Sequence, residues 1–169
     1  MPTNFCRVLG VDPGFDRTGI GVIDQSGMKS VWVHHSCIQT SADMSFSARL
    51  QALRDGVQAA IKEFKPEVAV VEQLFFQNNA KTAMHVGMAR GVILLCLADH
   101  HVHLLELTPN QVKQGITGWG GADKKQIQSM VKTILKLKDV PRPDDAADAL
   151  AIAIVGAVMV PSLEHRLTP

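Results

Sequence analysis

Cysteine is scarce in this 169-residue chain, and Cys6, Cys37 and Cys96 are odd in number and far apart. Neither a disulfide framework nor a zinc site is suggested, and a reducing cytoplasm is the natural setting. Long apolar runs are lacking as well. The longest, Ala149 to Val160, is too short to cross a bilayer and reads as a buried helix. Met1 to Arg7 is polar and mixed and gives way directly to an apolar strand, so no secretory leader is expected. Charge of one sign is missing: 17 Lys and Arg face 16 Asp and Glu, a formal net charge of +1, which by itself points to no class of partner. There is no internal repeat, low-complexity tract or linker.

What is present is a composition 46% hydrophobic, enough for one domain with a real core. One domain is expected over residues 1–160, with 161–169 as a frayed tail. The charge is also unevenly spread. From Lys113 to Arg142 the basic residues are Lys113, Lys124, Lys125, Lys132, Lys136, Lys138 and Arg142, against Asp123 and Asp139 only. Such a block holds phosphates or lines a solvated helix face, and charge alone does not choose.

The hydrophobic pattern predicts strands over Cys6–Asp12, Thr18–Asp24 and Ser30–Cys37, an antiparallel meander with Gly27 at a turn. Leu50, Leu53, Val57 and Ile61 recur at helical spacing within a helix over Ser45–Phe64. A strand over Glu67–Val71, a long helix over Asn79–Ala98 and a strand over Val102–Leu105 follow. Thr108 and Pro109 open a short helix through Gln114. Gly115–Gly121 reads as a loop made mobile by glycine, and helices over Lys124–Leu137 and Asp145–Val160 complete the chain. Strands alternating with helices in the second half indicate an α/β sheet covered on both sides.

Four acidic residues stand where a purely structural role is hard to assign. Asp12 ends the first strand, before Pro13 and Gly14. Charged residues at the ends of buried strands are rare unless paired or ligating, although an Asp before Pro-Gly also initiates turns. Glu72 ends the second buried strand, and Glu is a poor strand former. Asp145 and Asp148 lie three apart on one helix face, and Asp144 and Asp148 four apart. An N-cap role accounts for Asp144 or Asp145 but not for Asp148, a turn into an apolar helix. An unpaired charge there would cost several kcal/mol or shift its pKa. Carboxylates gathered at one spot need compensating cations. Oxygen ligands alone favour Mg2+ or Mn2+ over zinc. Two such ions about 3.5–4 Å apart suit phosphodiester hydrolysis, one activating water and the other stabilising the leaving oxygen. Gly14, Gly19 and Gly21, just beyond Asp12, would let a phosphate backbone come close.

The segments VLGVDPGFDRTGIGVI, VVEQLFFQNN, MARGV, QVKQ and DAADALAIAI, in order from Val8 to Val155, resemble the RuvC family of Holliday-junction resolvases. The resemblance implies an RNase H-like fold with a mixed five-stranded sheet and helices on both faces. It implies a homodimer that hydrolyses two opposing strands of a four-way DNA junction with Mg2+ or Mn2+, in DNA recombination and repair. The nicks would carry 5′-phosphate and 3′-hydroxyl ends that a ligase can seal. Residue by residue, the catalytic, metal-binding acids fall on Asp12, Glu72, Asp145 and Asp148, the position of Asp145 being His in some members. Asp144 is an extra acid, a candidate N-cap. The phosphate-contacting lysines fall on Lys113 and Lys124, and the aromatic that stacks on unpaired bases falls on Phe75; at least one of Phe75 and Phe76 is expected in the core, with Phe75 favoured as the exposed one. A branch-migration complex of RuvA and RuvB is the implied partner.

The helix after Glu72 carries Ala80, Met84, Gly87, Met88, Gly91 and Leu95 along one face and Val86, Ala89, Ile93 and Leu97 along another. A helix apolar on two faces has two partners, the sheet and a second copy, or is buried in one core. The two-fold symmetry of a four-way junction favours the second copy. Three rival functions compete. An actin-like ATPase needs two such domains, more than this length supplies. A non-catalytic junction-binding module would not need the acids. A hydrolase of RNA–DNA hybrids is set aside by the family resemblance alone.

Overall fold

The computed structural model describes residues 5–74 and 80–167, apart from the side chains of residues 80–82 and 161–167. The element order is β1 (Cys6–Asp12), β2 (Arg17–Ser26), β3 (Lys29–Gln39), α1 (Phe46–Phe64), β4 (Val68–Glu72), α2 (Ala80–Asp99), β5 (His103–Leu107), α3 (Pro109–Thr117), α4 (Lys124–Ile134) and α5 (Asp144–Leu167). Among the described residues no helix is long and apolar enough to cross a membrane.

The five strands form one mixed sheet in the order β3-β2-β1-β4-β5. β1, β2 and β3 pair antiparallel, whereas β4 lies parallel to β1 and β5 parallel to β4. This is the RNase H-like architecture expected, and it follows from connection length. Tight turns join the antiparallel strands, and the helical crossovers α1 and α2 permit parallel pairing.

Side chains alternate across each strand, so the sheet divides the core in two. On one face Val8, Ile23, Val68 and Val70 pack with α3, α4 and α5 through Val112, Ile127, Val131, Leu150 and Ile154. On the other, Leu9, Val11, Ile20, Val22, Ala69 and Val71 pack with α1 and α2 through Leu53, Val57, Ala89, Ile93 and Leu97.

Glycine places α5 unusually close to the meander. A Cβ on Gly10 would lie 2.0 Å from the Ala149 carbonyl oxygen, one on Gly19 would lie 1.9 Å from the Asp145 oxygen, and one on Gly21 would lie 2.6 Å from the Leu150 nitrogen. The helix backbone therefore rests on the strand backbone. This corrects the expectation that Gly14, Gly19 and Gly21 admit a phosphate. Gly19 and Gly21 are covered by α5, and Gly14 faces its own turn, where a Cβ would lie 2.0 Å from the Arg17 carbonyl oxygen.

Several boundaries also move. The expected loop over Gly115–Gly121 begins only at Gly118, because Gly115 and Ile116 continue α3, with Gly115 seated against Val155. Gly118, at φ 76°, caps that helix by donating its N–H to the Gln114 carbonyl. α4 stops at Ile134 rather than Leu137, with Lys136 at φ 53° turning the chain away. α5 continues past Val160 to Leu167, where a tail was expected. Pro161 gives up one backbone hydrogen bond there without ending the helix.

Candidate metal-binding nuclease site

The site is assembled by strand parity. In β1, Val8, Gly10 and Asp12 share a face, as do Val68, Val70 and Glu72 in β4. The register pairs Val11 with Val71, so Asp12 and Glu72 stand side by side at the ends of adjacent parallel strands, both toward α5. Asp12 is paired across β1 and β2 with Gly19. The bare backbone of Gly19 seats the first turn of α5, which brings Asp145 and Asp148 to Asp12.

Asp12, Glu72 and Asp148 line one cleft of about 260 Å³ together with Lys113, Asp123 and Lys124. A second hollow continues from it along Glu72, Gln73, Leu74, Thr108, Asn110 and Lys113. The far wall is α3 and α4, whose first turns are fixed by capping boxes. Thr108 accepts from the Gln111 N–H and Asp123 from the Gln126 N–H, while each glutamine side chain accepts the cap residue's own N–H in return. Lys113 and Lys124 thus project from rigid helices.

The acids are poorly compensated. Burial pushes Asp12 well above the usual carboxylate range, and the charges of Glu72, Asp148 and Asp145 push it further. Burial and the neighbouring Asp148 raise Glu72 to about 7, against the pull of Lys113. Asp148 is raised chiefly by burial, although Lys124 opposes this. Removing a carboxylate from water disfavours its ionised form, and like charges nearby add to the cost.

Three cationic side chains hold the helix-borne acids. Lys124 Nζ lies 3.3 Å from Asp148 Oδ2 and 3.5 Å from Asp144 Oδ2. Arg17 Nη2 lies 2.8 Å from Asp145 Oδ2. Asp145 therefore faces Arg17 and, at 4.0 Å, the Cys37 thiol, rather than the cleft. Asp144 is the first residue of α5 and is ion-paired with Arg142 at 2.9 Å as well as with Lys124, a favourable negative charge at a helix start. Among the described residues no three acids, histidines or cysteines are gathered closely enough to cage a metal ion as their side chains stand. The donor chemistry nevertheless fits a divalent ion: hard carboxylate oxygens converge, partly desolvated, with charge in excess of the cations beside them.

The structure thus brings Asp12, Glu72, Asp148, Lys113 and Lys124 together, with Asp145 adjoining. Phe75 and Phe76 lie outside the described residues. Sequence reasoning missed Arg17, which sits inside the DPGFDRTG segment but has no partner visible without the fold. It also missed the Asp123 cap, although the Asp-x-x-Gln spacing signals it.

The sequence model of the family described as crossover junction endodeoxyribonuclease RuvC matches residues 8–156. The protein of that description from Thermosipho melanesiensis is 48% identical over 147 residues, covering 87% of this chain and 94% of its own length. Among solved structures, T. thermophilus RuvC in complex with Holliday junction substrate matches with a TM-score of 0.87 at 35% identity, over 92% of this chain and 94% of that one. The yeast mitochondrial Holliday junction resolvase Ydc2 shares the fold, with a TM-score of 0.67 at 17% identity, over 97% of this chain and 83% of that one.

Proposed function

The chain belongs to the RuvC family of crossover junction endodeoxyribonucleases, and from that membership we propose that it resolves Holliday junctions by paired, symmetric nicks through two-metal-ion hydrolysis, leaving 5′-phosphate and 3′-hydroxyl ends. The observation that carries the mechanism is the convergence of Asp12, Glu72 and Asp148, from three separate elements, on a cleft walled by two lysines.

Asp12 and Glu72 would hold the ions from the sheet, and Asp145 and Asp148 from α5. When bound, Mg2+ or Mn2+ would supply an activated water and stabilise charge on the leaving 3′ oxygen. Lys113 and Lys124 take the DNA phosphates. Lys124 and Arg17, about half exposed, long and flexible, serve as internal counter-ions to Asp148 and Asp145. Phe75, three residues beyond Glu72, stacks on unpaired bases at the crossover.

The second copy meets α2. Met84, Met88 and Leu95 are 56%, 43% and 62% exposed, whereas Ala89, Ile93 and Leu97 are fully buried against the sheet. One face of α2 is therefore left uncovered, and the open space beside Gly87 and Gly91 allows close approach of another backbone. A two-fold dimer through this face gives paired cuts. Partnership with a branch-migration complex of RuvA and RuvB, and a place in the cytoplasm, accompany this reading.

The deciding experiment incubates the protein with a synthetic immobile four-way junction, with and without Mg2+ or Mn2+. Paired nicks are expected only with the ion. Asp12→Asn should bind the junction and lose about three orders of magnitude in cutting rate, since several kcal/mol of charge stabilisation leave with the metal. Cutting at the normal rate by that variant would refute the metal assignment.

A further inference from the structure

Between α3 and α4 runs the loop Gly118–Asp123, and at its tip Trp119 is 60% exposed. Nothing in the catalytic arrangement above uses this indole. The loop is built to hold it. The Thr117 hydroxyl lies within donating distance of the carbonyl oxygens of Lys113 (2.8 Å) and Trp119 (2.9 Å), its one proton serving either, and accepts the backbone N–H of Trp119 at 3.2 Å. The Trp119 carbonyl also accepts the Ala122 N–H at 3.3 Å. The six-membered part of the ring lies against Gly121, where a Cβ would come within 2.5 Å of Cζ2. One side of the indole is thus fixed on bare backbone, and the rest faces solvent.

Its position relative to the cleft follows from the chain. The same hydroxyl that fixes Trp119 lies against the Lys113 carbonyl, and the loop runs through Ala122 and Asp123 into Lys124 of α4, all three lining the cleft with Asp12, Glu72 and Asp148. A large rigid aromatic between two cleft-lining lysines has the makings of a nucleic-acid contact: the lysines take phosphates, and the ring takes a base. Because the loop is already ordered, little conformational freedom is lost on binding.

We propose that Trp119 is a DNA-binding residue, stacking on a base of the strand whose phosphates Lys113 and Lys124 hold. This rests on the junction-cutting reading and adds to it a second stacking platform, on the loop that joins the cleft-lining helices α3 and α4. It acts on the grip and placement of the strand, not on the reacting atoms.

The chain has two tryptophans, so Trp32→Phe leaves Trp119 as the sole indole reporter. In a Trp32→Phe, Asp12→Asn protein, a synthetic four-way junction should quench and shift the emission in step with binding, followed separately by anisotropy of a labelled junction. Trp119→Ala, with Asp12 intact and no divalent ion present, should weaken junction binding about tenfold, equivalent to about 1.4 kcal/mol, and Trp119→Phe should restore most of the affinity. Anisotropy showing full binding with unchanged emission, or Trp119→Ala binding as tightly as the parent, would overturn the stacking role alone. Absence of any junction binding by the Asp12→Asn protein would overturn the junction reading together with it.

Discussion

Asp12 and Glu72 each retain a proton to higher pH in the fold than they would in an unfolded chain. Folding of the metal-free protein therefore favours the protonated acids. Stability contributed in this way is fully present below the unfolded values and is lost as pH rises through the folded ones. For Glu72 the window runs from its ordinary 4.5 to about 7. Metal-free protein should accordingly melt lower at pH 8 than at pH 5.5, and Asp12→Asn should raise the pH 8 melting temperature while slowing cutting by the same three orders of magnitude or so. A fall in stability on that substitution would show that the carboxylate is compensated. The same protonation competes with metal. Mn2+ affinity should rise between pH 6 and pH 8 with release of a proton, and Glu72→Gln should flatten that rise, as read by calorimetry in buffers of different ionisation enthalpy. Both acids were legible in the sequence because a carboxylate that closes an apolar strand is costly unless it is paired or ligating. The partners of the helix-borne acids were not, since Arg17 and Lys124 reach Asp145 and Asp148 from other elements.

At the scale of elements, the seat of α5 on β1 and β2 controls the site. Gly10 and Gly21 are paired across the two strands, and α5 covers both. Gly10→Ala would drive a methyl group into the Ala149 carbonyl, which is backbone and cannot swing aside. Overpacking of this kind should cost about 3 kcal/mol, which lowers the melting temperature by roughly 6–12 °C in a chain of this size. It should also impair cutting beyond what the loss of folded protein explains, because α5 carries Asp145 and Asp148. Thermal melts and cutting rates per folded molecule would check both, and an unchanged melting temperature would contradict the close seating. The glycines themselves are conspicuous in the sequence, yet their purpose differs from the one expected. A glycine shows that something comes near, and only the packed helix shows what.

For the whole molecule, the question is what covers α2. The spacing of Met84, Met88 and Leu95 raised two possibilities, burial in one core or contact with a second copy, and the fold removes the first because these side chains are exposed. Leu95→Glu should therefore spare the fold, being on the surface, and turn dimers into monomers in sedimentation at micromolar concentration. Junctions treated with that variant should accumulate single nicks in place of paired ones. Retention of the dimer would send the interface elsewhere on the surface.

Sequence by itself determined the alternation that carries Asp12 and Glu72 to the ends of buried strands, the three-residue spacing that sets Asp145 and Asp148 on one helix face, and the membership of a junction-cutting family. These are properties of periodicity and of local motifs, which a chain displays without folding. Tertiary structure decided that the two strands are adjacent and in register, that α5 lies backbone to backbone over Gly10, Gly19 and Gly21, and that Asp145 turns toward Arg17. Each of these depends on which distant surfaces meet, and that is fixed by burying both faces of the sheet at once rather than by any stretch of neighbouring residues.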